Sequence, residues 1–284
     1  KNCENIIMMP ANRGLRVFAP LFLFYNKLYH RRIHYVVIGG WLDSFLDEHK
    51  WLVRLLKKFD AIYVESDMMK SALQRRGFEN AVVMYNFKEL EPLAESDIEY
   101  PKSEPYKLCT FSRVMKEKGI EDAINAVESV NAHFGRTVYT LDIFGQVDVE
   151  YKERFSQLEK SFPDYISYGG AIEANKSVET LKSYFTLLFP TYYKGEGFAG
   201  TLIDAMSAGM PVIASDWKYN PEFVVPGKTG VIIKNCNAEK LAEELINIAA
   251  APEKWNSMRL SAFKESKKYK PDIAARPLID RING

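Results

Sequence analysis

Residues 187–215 read LLFPTYYKGEGFAGTLIDAMSAGMPVIAS. The run 187–190 is short and apolar, as in a buried strand. A loop with several glycines follows (191–198). Leu202, Ile203, Ala205 and Met206 then recur at helical spacing within 200–208. Gly209 is placed to stop that helix, and Pro211 opens a second apolar run, 212–215. Strand, loop, helix and strand in this order form the repeating unit of a parallel α/β sheet.

The same alternation extends on both sides. Strands are expected at 107–112, 138–144, 166–168 and 231–234. Helices are expected at 120–134, 150–162, 177–184 and 238–250; Ile120, Ala123, Ile124, Val127 and Val130 line one face of the first. Right-handed crossovers between parallel strands leave few topologies beyond a doubly wound, Rossmann-like sheet. Upstream, strands are expected at 5–9, 35–38, 61–64 and 81–84, with helices at 43–59 and 68–76. Residues 89–106 carry Pro92, Pro101 and Pro105 among Glu, Ser and Asp, the composition of a linker. The organisation expected is a domain at 1–90, a linker at 91–106, a second domain at 107–268 and a tail at 269–284 that packs back on the first domain. About four strands precede the linker, where a nucleotide fold of this kind usually has about five or six. The first domain is therefore expected to be incomplete.

Composition narrows the function classes. The chain has 284 residues, 38 Lys+Arg against 37 Asp+Glu, a net charge of +1 and 47% apolar residues. That length suits about two domains, and the apolar content excludes disorder as the main state. The balanced charge argues against a dedicated nucleic-acid binder. Cys3, Cys109 and Cys236 are too scattered for a disulfide framework or a zinc knuckle, which suits a reducing, cytoplasmic setting. No apolar run reaches the ~20 residues of a membrane span, and no secretory leader is recognisable at the start. Charge is uneven, with 14 basic and 9 acidic residues in 1–90 and 24 basic and 28 acidic beyond.

Two constellations can carry chemistry. In Phe111-Ser112-Arg113-Val114-Met115-Lys116-Glu117-Lys118-Gly119 a strand ends and a helix begins. The carboxyl ends of parallel strands form the ligand crevice, and a helix amino terminus favours phosphate. Arg113 can fork two phosphate oxygens and Lys118 can add a point charge; the same residues also suit a solvated basic loop. In Gly195–Met206, small residues permit close approach to the backbone, and Glu196 stands just before a helix. Asp204 follows about two turns later. Two such carboxylates suit hydroxyls on an extended ligand, though each also suits a plain helix-terminal or solvated acid. Gly227-Lys228-Thr229-Gly230 lacks the upstream glycine of a phosphate loop and reads as a turn.

Taken in order, these pieces resemble the carboxy-terminal domain of GT-B fold glycosyltransferases of group 1, family GT4. The resemblance covers about 107–234 and rests on Arg113-x4-Lys118-Gly119, Phe144-Gly145, Tyr168-Gly169-Gly170, Glu196-x7-Asp204 and Ala208-Gly209-Met210-Pro211-Val212-Ile213. It implies an α/β protein of two Rossmann-like, doubly wound parallel-sheet domains, with the donor site in the second. It implies that Arg113 and Lys118 bind the pyrophosphate of a nucleotide sugar, UDP-linked by preference, and that Glu196 contacts the transferred sugar. The N–H groups of Gly197, Phe198 and Ala199 are implied to help hold sugar and phosphate, and Gly170 or Ala171 to lie near the base. Asp204 stands where the family usually has glutamate for the ribose. No metal and no cofactor are implied.

The implied reaction retains the anomeric configuration, with the leaving phosphate taking the acceptor's proton. The acceptor is a saccharide or lipid-linked saccharide, in bacterial surface polysaccharide assembly. Many relatives carry a histidine near the acceptor where this chain has Gly39 or Gly40; His34 reads as structural. Residues 15–29 are rich in Leu, Phe and Val, flanked by Arg13, Arg16, Lys27, Arg31 and Arg32. Two readings fit: peripheral docking on an anionic membrane, or a buried helix with a basic end. A non-catalytic sugar-nucleotide-binding module is the rival from another class. A phosphorylase would need a cofactor lysine or a free-phosphate site, and neither is identifiable.

Overall fold

The computed structural model describes residues 3–91 and 93–284; Lys1 and Asn2 of the first domain and Pro92 of the linker lie outside the described residues. The chain divides into two compact units: Lys1–Phe87 with Lys194–Ala199 and Pro271–Gly284, and Lys88–Tyr193 with Gly200–Lys270.

The larger unit holds six parallel strands: β5 (Tyr106–Phe111), β6 (Tyr139–Phe144), β7 (Ile166–Gly170), β8 (Thr186–Phe189), β9 (Val212–Ser215) and β10 (Gly230–Ile233). Their order is β10-β9-β8-β5-β6-β7. The winding therefore reverses between β5 and β8, and in open α/β sheets it is outside the carboxyl ends of the strands at such a reversal that ligands bind. Helix Ile120–Phe134 packs on the sheet through Ile120, Ala123, Ile124, Val127 and Val130, all buried. Helix Ala238–Ala250 joins the same core through Leu241 and Leu245, and the Tyr139 hydroxyl donates to the Leu245 carbonyl at 2.8 Å.

The smaller unit has four parallel strands in sequential order: β1 (Asn5–Met8), β2 (Arg32–Val36), β3 (Ala61–Val64) and β4 (Ala81–Val83). Helix Arg276–Asn283 supplies Leu278 against Val36, Ala61, Tyr63 and Met84. Asn5 Nδ2 and Arg32 Nη1 donate to the carbonyls of Ile282 and Arg281, at 3.1 and 3.0 Å. The helix expected at 43–59 is two helices, Leu42–Glu48 and Lys50–Leu56. His49 between them leaves helical geometry (φ −126°, ψ 55°). The run at 15–29 lies in helix Asn12–Tyr29 and is not a buried helix. Leu15 and Ala19 face inward, while Val17, Phe18, Leu21, Phe24, Tyr25, Leu28 and Tyr29 are exposed. Helices Pro252–Asn256 and Arg259–Ser266 follow helix Ala238–Ala250 in the larger unit.

Candidate functional site

In the larger unit the crevice is built by packing backbone on backbone. After β5 the chain passes through Arg113 to the turn Lys116–Lys118, and Gly119 (φ 72°) starts the long helix. A Cβ on Gly119 would lie 2.4 Å from the Pro190 carbonyl oxygen, so only glycine lets the two loops close on each other. The Tyr192 N–H donates to the Glu117 carbonyl at 2.8 Å, and the Thr191 hydroxyl to the same carbonyl at 3.2 Å. Gly145 likewise seats on Ser112, where a Cβ would be 1.7 Å from the carbonyl oxygen. These contacts bring the ends of β5, β6 and β8 together.

Two cations stand on this platform. Lys118 Nζ lies 5.4 Å from the Phe189 ring centroid and 5.2 Å from that of Tyr193, a cation–π seat that holds the ammonium over the loop leaving β8. Arg113 is 60% exposed in its side chain and 3.6 Å from Asp148, a loose pair that leaves the guanidinium open to an anion. Gly170 (φ 73°) closes β7, and a Cβ there would meet nothing within 4 Å. Ala171 next to it is exposed.

Asp204 is not on a solvated helix face. It is 1% exposed on helix Gly200–Ser207. Its Oδ1 and Oδ2 lie 2.7 and 2.6 Å from Lys88 Nζ, and Oδ1 also accepts from the Ser177 hydroxyl at 2.8 Å. Burial pushes the carboxyl up, while Lys88 and Ser177 pull it back down. Lys88 and Ser177 carry no motif and were not singled out in the sequence.

In the smaller unit, residues 194–199 close over the ends of β2 and β3. Glu196 is 5% exposed. The Phe198 N–H, which the family resemblance assigns to sugar and phosphate, donates instead to Glu65 Oε2 at 3.0 Å. Its carbonyl accepts from Asn86 Nδ2 at 2.9 Å. A Cβ on Gly197 would sit 2.3 Å from Glu65 Oε2 and 2.8 Å from the Gly39 Cα. Gly39 itself has φ 84°, a backbone state that a histidine would adopt only with strain. Ala199 is buried beside them. Burial raises the Glu65 carboxyl, the N–H bonds from Phe198 and Gly39 lower it, and the nearby Glu196 carboxylate raises it further. His34 is buried in β2, its Nε2 3.0 Å from Asn5 Oδ1 and its Nδ1 3.2 Å from the Tyr63 hydroxyl. Both ring nitrogens are thus engaged inside the sheet.

Among the described residues no helix is long and apolar enough to cross a membrane, and no group of three or more His, Cys, Asp or Glu is placed to hold a metal ion.

Comparison with known proteins adds three findings. The family described as "Glycosyl transferases group 1" matches residues 94–265. A relative in Streptococcus gordonii, the UDP-N-acetylglucosamine--peptide N-acetylglucosaminyltransferase GtfA subunit, is 30% identical over 60% of this chain; the chain spans 34% of that relative's length. Among solved structures, TarM of S. aureus superposes with a TM-score of 0.76 at 18% identity, covering 100% of this chain and 56% of TarM. HepE of Anabaena, in complex with UDP, superposes with a TM-score of 0.77 at 15% identity, covering 98% of this chain and 78% of HepE. The two superpositions establish a common GT-B fold.

Proposed function

The chain belongs to the glycosyl transferases group 1 family, and on that premise we propose that it moves a sugar, with retention, from a UDP-linked donor to a saccharide or lipid-linked acceptor in surface polysaccharide assembly. The observation that carries this reading is the reversal of the sheet between β5 and β8 with Arg113 and Lys118 standing at its mouth. A diphosphate is the ligand best matched to one forked cation and one point cation at that place. HepE carries UDP on the same fold.

The chemistry follows from those charges. The acceptor hydroxyl oxygen bonds to the anomeric carbon on the face from which the diphosphate departs. The bond from that carbon to the phosphate oxygen breaks with its electron pair going to the diphosphate. The hydroxyl proton passes to a diphosphate oxygen, leaving UDP and the new glycoside. Negative charge thus builds on the leaving group, and Arg113 and Lys118 stabilise it where it forms. Glu196 accepts from hydroxyls of the transferred sugar, helped by the backbone at Gly197 and Ala199. The base rests near Gly170 and Ala171. Ribose is met by the Lys88–Asp204 pair rather than by a free carboxylate.

We assign the acceptor side to a cytoplasmic membrane surface. Phe24 and Leu28, 64% and 74% exposed on helix Asn12–Tyr29, give an apolar face, and Arg13, Arg16 and Lys27 on the same helix are exposed beside it. Such a face suits the boundary between acyl chains and anionic headgroups.

The test is turnover of UDP-sugars by the chain and its Arg113→Ala and Glu196→Ala variants. Loss of turnover in both is expected; unchanged rates would remove these residues from the reaction. Membrane contact is checked by sedimentation with anionic vesicles, where Phe24→Ser/Leu28→Ser should stay in the supernatant.

A further inference from the structure

We propose that Glu65 is a positioning residue for the sugar-recognising loop, holding residues 195–198 so that Glu196 presents its carboxylate in one place. The proposal rests on the donor reading above for the loop's task, and on the geometry around Glu65 for the holding itself.

Glu65 follows β3 directly, and the next residue, Ser66, caps helix Asp67–Arg75 by accepting from the Met69 N–H at 3.1 Å. Its backbone is therefore fixed from both sides, and the residue is 6% exposed. One carboxylate receives two backbone donors, the Phe198 N–H at 3.0 Å and the Gly39 N–H. The loop comes down on this carboxylate so closely that residue 197 must lack a side chain. Asn86 holds the other side of the Phe198 peptide at 2.9 Å. Glu196 lies between these fixed points.

A buried carboxylate is an expensive way to accept two hydrogen bonds, and more so beside a second carboxylate. Among neutral side chains, an amide offers one acceptor atom and turns its NH₂ toward the second donor, and a hydroxyl has a single oxygen. A glutamate side chain reaches the Phe198 N–H from the end of β3 with no N–H of its own to turn toward the loop. That explains why the position holds an acid although burial opposes its ionised form. It also separates Glu65 from a simple packing residue, because its contribution lies in the direction of two bonds.

The test compares Glu65→Gln and Glu65→Leu with wild type in three measurements on the full chain. These are UDP affinity by calorimetry, kcat and KM with UDP-sugar, and amide hydrogen exchange across 194–200. UDP is gripped through Arg113 and Lys118 on another loop, so its affinity should stay within about twofold. Misplacing a sugar contact by roughly 1 Å costs up to about 10²-fold in rate, so kcat should fall about 10²-fold in Glu65→Leu and about tenfold in Glu65→Gln, with KM nearly constant. Exchange at Phe198 should quicken in the same order. Wild-type kcat in Glu65→Leu, or UDP affinity falling in step with kcat, overturns the proposal. So does exchange across 194–200 that is equally fast in all three proteins. If wild type neither binds UDP nor turns over UDP-sugars, the donor reading fails instead, and the exchange order alone decides whether Glu65 holds the loop.

Discussion

Two loops do comparable work in this molecule and are fixed by different physics. The loop after β5 is held by glycine set against carbonyl: Gly119 on Pro190 and Gly145 on Ser112, with one backbone bond from Tyr192 to Glu117. The loop at 194–199 is held by a buried carboxylate, Glu65, receiving backbone N–H groups. Steric seating of this kind uses no charge. The carboxylate spends a desolvated charge to obtain direction. A loop of the first kind tolerates changes of pH but not a single added methyl group. A loop of the second kind does not tolerate loss of length, and it responds to protons.

The sharpest way to break this contrast is to remove the two cations carried by the steric loop. Arg113→Ala and Lys118→Ala should each lower kcat by about 10²–10³, the usual cost of losing one preorganised donor to a developing charge. Arg154, 52% exposed and tied to Glu121 on the same unit, serves as the control. Its loss should leave both stability and kcat close to wild type. Equal losses in all three variants would mean that net charge, and not placement, governs the rate.

Next in size is Gly119→Ala. The added Cβ must displace the Pro190 carbonyl, 2.4 Å away, and φ 72° disfavours any L side chain. The left-handed backbone alone costs about 1–2 kcal/mol, so a total above ~2 kcal/mol is expected in denaturant unfolding. UDP affinity should fall with it. A Gly119→Ala protein as stable as wild type would show that the two loops are not seated as described.

Lys88→Met probes a different buried carboxylate, Asp204 of the larger unit, which already has its cation. Removing Lys88 leaves Asp204, 2% exposed in its side chain, with only Ser177 among these partners. Breaking a fully buried pair costs ~3–5 kcal/mol. Lys88 is 28% exposed, so a smaller loss, about 2 kcal/mol, is expected. The double variant Lys88→Met/Asp204→Leu should recover most of it, because no uncompensated charge remains. Failure to recover would make the pair more than a matched set of charges.

How much of this was legible in the sequence follows the same division. The steric loop was readable because its parts are local. Arg113, Lys118 and Gly119 lie in one short stretch between a clear strand and a helix whose five apolar positions are all buried. The second loop was half readable. Glu196 and its glycines stood out, but Glu65 lies within Val64-Glu65-Ser66-Asp67, where an acid before a helix cap looks ordinary. Its partner Phe198 is 133 residues away, and nothing in local spacing encodes that contact. Lys88 was hidden for the same reason, in what read as the edge of a linker. The exposed apolar face of helix Asn12–Tyr29 was ambiguous because apolar spacing reports a face, not which side of it is covered.

The smallest expected effect is also the one specific to the charged loop. Burial and Glu196 raise the Glu65 carboxyl above its ordinary range despite its N–H bonds. A carboxyl whose pKa is higher in the folded chain than in the unfolded one keeps its proton longer when folded. Its stabilising contribution is complete below the unfolded value and is lost as pH rises through the folded value. Glu65→Gln does not titrate. The stability of wild type relative to Glu65→Gln should therefore fall as pH climbs from the ordinary glutamate range toward neutrality, then level off. Asp204 moves in the same direction in both proteins and cancels from the difference. Gly119→Ala, compared with wild type over the same range, should give a flat difference, because no titrating group enters its contact. Urea midpoints at a series of pH values measure both differences. A flat line for Glu65→Gln would mean that the carboxylate is held by its two N–H donors as firmly as burial opposes it. The two loops would then differ in geometry alone.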